Sequence, residues 1–169
     1  VQENLGLGAT GYGLILAAGA IGGILGGFVA DRIVQKMGPG AAAQWMTLAS
    51  VGAFIAIPLA PNGIALACVL AAFEFTGLVW NTVSVSYRQR TIPNVLLGRV
   101  NSIYRLLAWG MMPVGLILSG VIVSLAENIM SRELALGMPF VVAAIGAVAL
   151  TLFAWGPLGR GFGAATVDI

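Results

Sequence analysis

The sequence predicts an all-α polytopic membrane protein with five transmembrane helices, and three observations carry that expectation. Only 8% of the residues are charged while 59% are hydrophobic. Soluble domains average about 25% charged residues, so this supply is too small to cover a surface facing water. The apolar residues fall in five long runs, each of a length that crosses a hydrocarbon core of about 30 Å at roughly 1.5 Å per residue. The bases, finally, gather at alternate ends of successive runs, the pattern made when positive residues stay on the cytoplasmic side.

The first run extends from Tyr12 to Ala30 without a charge. Ahead of it, Gly6-Leu7-Gly8-Ala9-Thr10-Gly11 formally matches G-x-G-x-x-G, with Asp31 at the distance of a ribose-binding acid. That fingerprint needs a preceding strand and an amphipathic helix packed on a sheet. Only Val1 to Leu5 precede it and the following run is apolar on every face, so the segment reads as an extracytoplasmic loop leading into a helix. Within the run, Gly19, Gly23 and Gly27 recur every fourth residue, as do Ala18, Gly22, Gly26 and Ala30. These two adjoining stripes of small residues let a neighbouring helix approach backbone to backbone. Asp31, Arg32 and Lys36 then take the helix out of the membrane on a charged hinge.

Gly38-Pro39-Gly40 interrupts the helix, and Ala41 to Ala60 supplies the second run. Pro61-Asn62-Gly63 is a tight turn back. Ile64 to Ser84 is the third run, with Glu74 near its middle. Tyr87 to Arg99 is the most basic segment and links the third run to the fourth, about Ile103 to Val123. Ser124 to Gly137 is polar and mixed in sign, and Met138 to about Trp155 is the fifth run. Gly156-Pro157-Leu158-Gly159-Arg160 is expected to end it, before a short Gly/Ala tail.

Orientation follows from the bases. Arg32, Lys36, Arg88, Arg90, Arg99, Arg105 and Arg160 fall on one side and only Arg132 on the other. The rule that positive residues stay inside puts the charged hinge, the basic segment and the C-terminus in the cytoplasm and Val1 outside. A start at Val1 without methionine or a basic leader predicts a piece of a longer protein and no signal peptide.

Several function classes are disfavoured. There is no histidine, which removes the commonest general base and metal ligand. Cys68 is the lone cysteine and sits in an apolar run, so no disulfide can form within the chain. Neither a metal, a cofactor nor an enzymatic centre is expected. The net charge of +2 comes with no charge run or interleaving of aromatic and basic residues, so nucleic acid is not an expected partner.

The spacing Gly27-x-x-x-Asp31-Arg32-x-x-x-Lys36 resembles the loop signature of the major facilitator superfamily, with Val34 where that family has its second glycine and Gln35 where it often has a base. Arg88-Gln89-Arg90, then Gly98-Arg99-Val100-Asn101-Ser102-Ile103-Tyr104-Arg105 through Gly110, and Pro113-Val114-Gly115, are similar to the tenth-to-eleventh helix connection of its secretion-effector branch, which includes an enterobactin exporter. Gly8-Ala9-Thr10-Gly11-Tyr12-Gly13 resembles the start of the eighth helix in that branch. The resemblance covers nearly the whole chain. It implies helices eight to twelve of a twelve-helix transporter and, as partners, the missing N-terminal helices, the lipid bilayer, a small-molecule substrate and protons. It further implies proton-coupled efflux by alternating access in a bacterial inner membrane. The alternative is a membrane scaffold or assembly subunit without a transport cycle.

The residues themselves single out Glu74. A carboxylate at the bilayer centre costs on the order of 2.5 to 3.5 kcal/mol on insertion scales, and ten residues beyond Ile64 places it about 15 Å deep. One reading gives it a proton or a cationic part of a substrate to carry; the other ties it by hydrogen bonds to a neighbouring helix. Trp80, Asn81 and Thr82 lie further along the same span. Asn81 needs a polar partner in an apolar setting, whereas Trp80 faces either the site or lipid. The family resemblance implies that Asp31, with Arg32 and Lys36, is a cytoplasmic gate; a solvated helix end is the plainer reading. Arg88, Arg90, Arg99 and Arg105 serve either as topology anchors or as partners of acids in the missing half. Trp45, Trp109 and Trp155 read as interfacial belt residues. Gly52, Pro58, Gly110, Pro113, Gly115 and Gly120 mark places where a helix can bend.

Overall fold

A computed structural model describes residues 5–164, and over that range the chain is helical with short turns. The elements are α1 (Ala9–Met37), α2 (Pro39–Leu59), α3 (Gly63–Thr91), α4 (Asn94–Ala126), the single-turn α5 (Arg132–Ala135) and α6 (Met138–Ala164). Five of them, all but α5, are long and apolar enough to cross a membrane. The chain is an all-α, integral-membrane type of protein on that ground. The expectations for Val1 and for the C-terminus concern residues outside the described range.

The turns follow from local chemistry. Gly38 alone separates α1 from α2. Its φ of 80° lies where L side chains are strained and glycine is not, and Pro39 then occupies the first turn of α2, where a missing N–H costs nothing. Asn62 caps α3 by accepting a hydrogen bond from the Ala65 N–H at 2.9 Å, as N-cap asparagines do. Arg88 and Arg90 occupy the last turn of α3, where cations suit the negative end of the helix dipole.

Helix ends depart from the expected runs in three places. The basic stretch from Tyr87 to Arg99 is mostly helix, broken only at Ile92 and Pro93, so its arginines stand on the end of α3 and the start of α4. α6 runs through Pro157 to Ala164, where Gly156 to Arg160 were expected to end it. The proline removes only the N–H that would serve the Phe153 carbonyl, and the end of α6 is tied to α2 by the Gln44 side chain, which gives its amide N–H to the Trp155 carbonyl at 2.7 Å. The polar stretch after Ser124 contains α5, too short and too mixed in charge for periodicity to reveal.

Packing divides the helices unevenly. α1 lies along α3, with Gly22 and Gly26 on the contact line. A methyl on Gly26 would stand 2.5 Å from the Phe75 carbonyl oxygen, and one on Gly22 would fall inside the Ala71 carbonyl. α2 lies along α6 in the same manner, since a methyl on Gly40 would come 2.6 Å from the Gly159 carbonyl oxygen. α2 also joins α3, and Ala42, Ala43 and Val83 form a buried cluster there with Trp80, Leu158 and Phe162 against it. α4 stands apart. Of its 33 residues only Ala126 is buried.

Candidate functional site

Glu74 lies against α1 where the glycine stripe leaves room. Methyls on Gly19 and Gly23 would stand 3.5 Å from its Cγ and 3.8 Å from its Cβ. The two stripes of small residues therefore do different work: Gly22 and Gly26 bring the helix backbones together, while Gly19 and Gly23 seat the stem of the carboxylate. Gly27 has nothing nearby. Glu74 is exposed even so, and Gly77 and Asn81 are exposed with it. Spacings of three and seven residues put these positions on one helical face. Among the described residues neither Glu74 nor Asn81 has a hydrogen-bonding or ionic partner. The result is an exposed acid and an exposed amide seven residues apart on one face of a largely apolar span.

Trp80 is on another face. It packs edge-on against Phe162 of α6, ring centroids 6.0 Å apart, about a third of a turn round α3 from Glu74. Thr82 turns its hydroxyl back to the Leu78 carbonyl at 3.0 Å, which satisfies it within its own helix.

A second polar place lies at the arginine-bearing end. A cavity of about 390 Å³ opens where α1, α2, α3 and α6 meet, lined by Asp31, Gln35, Thr82, Ser86, Tyr87 and Arg90 among others. The Tyr87 ring closes one side against Phe162, centroids 4.6 Å apart. Asp31, Arg32, Lys36 and Arg90 are all exposed, and Asp31 and Arg90 line the same space without forming an ion pair. Thr82, Ser86 and Arg90 recur every fourth residue, a polar stripe that the sequence carries but that an inspection for isolated charges passes over.

Arg88 sits beside this cavity and fastens α4. Its guanidinium donates to the Asn101 side-chain oxygen at 3.1 Å and to the Ser84 hydroxyl at 2.7 Å, and lies 3.9 Å from the centre of the Tyr104 ring, a cation–π distance. Arg99 and Arg105 are exposed on α4 near the same end. Trp45 meets Trp155 edge-on, centroids 6.3 Å apart, while Trp109 is exposed. Among the described residues, no three acids, histidines or cysteines come together as metal ligands.

No protein family, curated protein or solved structure matches the chain.

Proposed function

We propose that the chain is part of a membrane transporter of the major facilitator type, the portion holding helices eight to twelve, and that it moves a small molecule by alternating access with proton exchange. The observation that carries this reading is the Glu74 face. An acid in mid-span, with its stem against glycines and its head unpartnered, is costly in lipid. A cavity shared with further helices accounts for that cost: Glu74 takes up a proton or meets a cationic part of the substrate there, and Asn81 presents an amide to the same cavity. Inverted or parallel helical repeats facing each other across a midplane site are the architecture in which such acids serve coupling.

Asp31, with Arg32 and Lys36, acts in this reading as the cytoplasmic gate. The support is the shared lining of Asp31 and Arg90, opposite charges across a cavity that closure of the helix ends would bring together. The glycine-mediated approach of α1 to α3 lets that pair move as one body. Orientation with the arginines in the cytoplasm and the substrate moving outward across a bacterial inner membrane belongs to the same proposal.

The test is proton-coupled transport by the full gene product reconstituted in vesicles with a pH gradient. Glu74→Gln is expected to remove gradient-driven accumulation while leaving substrate binding measurable. Full gradient-driven transport by that variant would overturn the coupling role.

A further inference from the structure

The side of α1 opposite its contact with α3 carries a line of exposed residues that changes character along its length. Gly22 and Gly26 lie against α3. Across the helix from them Ile21, Leu25 and Phe28 are exposed, Phe28 most of all at 79%, and the line runs on into Arg32 and Lys36, which are exposed as well. At 100° per residue these five positions fall within an arc of about 80°. Asp31 is off the line. With Gln35 it borders the cavity between α1, α2, α3 and α6, whose lining includes neither Arg32 nor Lys36. Among the described residues neither of these two bases has a hydrogen-bonding or ionic partner.

Depth and charge together define what fits the line. The uncharged part of α1, from Ala9 to Ala30, is about 33 Å long by helical rise, so Ile21 stands near the middle of a hydrocarbon core of about 30 Å. Arg32 lies about 16 Å further along the helix, at the depth where the hydrocarbon of one leaflet gives way to phosphate. Lys36 follows one turn later. Two unpaired bases a turn apart offer donors and positive charge to a phosphodiester, and the apolar residues above them run the length of one leaflet. A protein helix on the same line would bury both bases, and each would then need an acid beside it.

We propose that this face of α1 is the seat of an anionic phospholipid from the leaflet at the arginine end. Arg32 and Lys36 hold its phosphate, and one acyl chain lies over Phe28 and Leu25 towards Ile21. The seat is separate from the cavity that Asp31 borders. It requires only that α1 stands in a bilayer and is independent of the transport reading.

The test is lipid binding to the purified full protein in detergent, followed by native mass spectrometry with phosphatidylglycerol and, separately, phosphatidylcholine. The tightest-bound phosphatidylglycerol is expected to be held several-fold more strongly than phosphatidylcholine. A double variant, Arg32→Gln with Lys36→Gln, is expected to weaken it by on the order of tenfold to thirtyfold, as two bases near an anionic surface imply, whereas Arg132→Gln leaves it unchanged. Far-ultraviolet circular dichroism checks that the double variant is folded. A second measurement is local: a fluorophore on Phe28→Cys, in a Cys68→Ala background, is expected to be quenched more by phosphatidylglycerol with brominated chains than by brominated phosphatidylcholine. The same fluorophore on Leu152→Cys, an exposed position of α6, is expected to show no such preference. Equal binding of the two lipids, or a double variant that binds phosphatidylglycerol like the wild type, would overturn the proposal. So would a fluorophore at Phe28 that neither lipid quenches, since protein then covers the face.

Discussion

The contact between α1 and α3 rests on two glycines, and a series of alanine substitutions reads it directly. At Gly26 a methyl would stand 2.5 Å from the Phe75 carbonyl oxygen, where ordinary contact begins at 3.4 Å. The helix backbones must therefore separate by roughly 1 Å, and overpacking of this kind costs about 1 to 3 kcal/mol. Alanine in place of glycine also favours the helix by up to about 1 kcal/mol. That gain is common to every position in the series and cancels when variants are compared. Gly27, with nothing within 4 Å, is the internal reference. Gly26→Ala is expected to be less stable than Gly27→Ala by about 1 to 3 kcal/mol, and Gly22→Ala by at least as much, because its methyl falls inside the Ala71 carbonyl. Unfolding of the purified protein by sodium dodecyl sulfate in mixed micelles, followed by far-ultraviolet circular dichroism, measures the differences. Equal stability of all three variants would refute the close approach of α1 to α3, and with it the seat proposed for Glu74.

Other outcomes can be checked independently. Arg88→Ala removes two hydrogen bonds and the contact with Tyr104; faster amide hydrogen exchange in the first turns of α4 is expected, and unchanged exchange would show that α4 is fastened elsewhere. Gln44→Ala should cost about 0.5 to 1.5 kcal/mol by removing the hydrogen bond that ties α2 to the Trp155 carbonyl of α6, measured in the same unfolding assay. Gly38→Ala places a side chain at a φ of 80°, a strain of about 1 to 3 kcal/mol, and is expected to destabilise the α1–α2 turn although nothing crowds it. Single cysteines at Arg32 and Arg88 should react with an impermeant maleimide from the same side of the membrane, and one at Arg132 from the other; labels at Arg32 and Arg88 on opposite sides would break the threading.

Much of the fold was legible because lipid imposes a simple rule on sequence. A helix must be apolar for the thickness of the core, so all five helices long and apolar enough to cross could be read from the apolar runs. The ends were less legible, because helix formation does not stop where apolarity stops. α3 continues through Ser86, Tyr87 and Arg90 to Thr91, and α6 continues past Pro157, where its end packs on α2 with Gln44 bonded to the Trp155 carbonyl. Faces were the least legible. Trp80 and Asn81 are adjacent in sequence, yet one packs on Phe162 and the other shares the exposed face of Glu74. With no polar surface required, an apolar span carries no hydrophobic stripe to distinguish its sides. The small-residue stripes were visible in the sequence, but their division of labour depends on Ala71 and Phe75 facing one and Glu74 the other.

α4 has a mechanical consequence of its own. It is 33 residues long and only Ala126, at its far end, is buried, while Arg88 grips it near the base through Asn101 and Tyr104. A rod of about 50 Å held near its two extremities has its weakest joint where a proline interrupts the helical hydrogen bonds, and Pro113 stands about midway along it. Flexing there would swing Trp109 and Leu116 through a wide arc while the grips stay still.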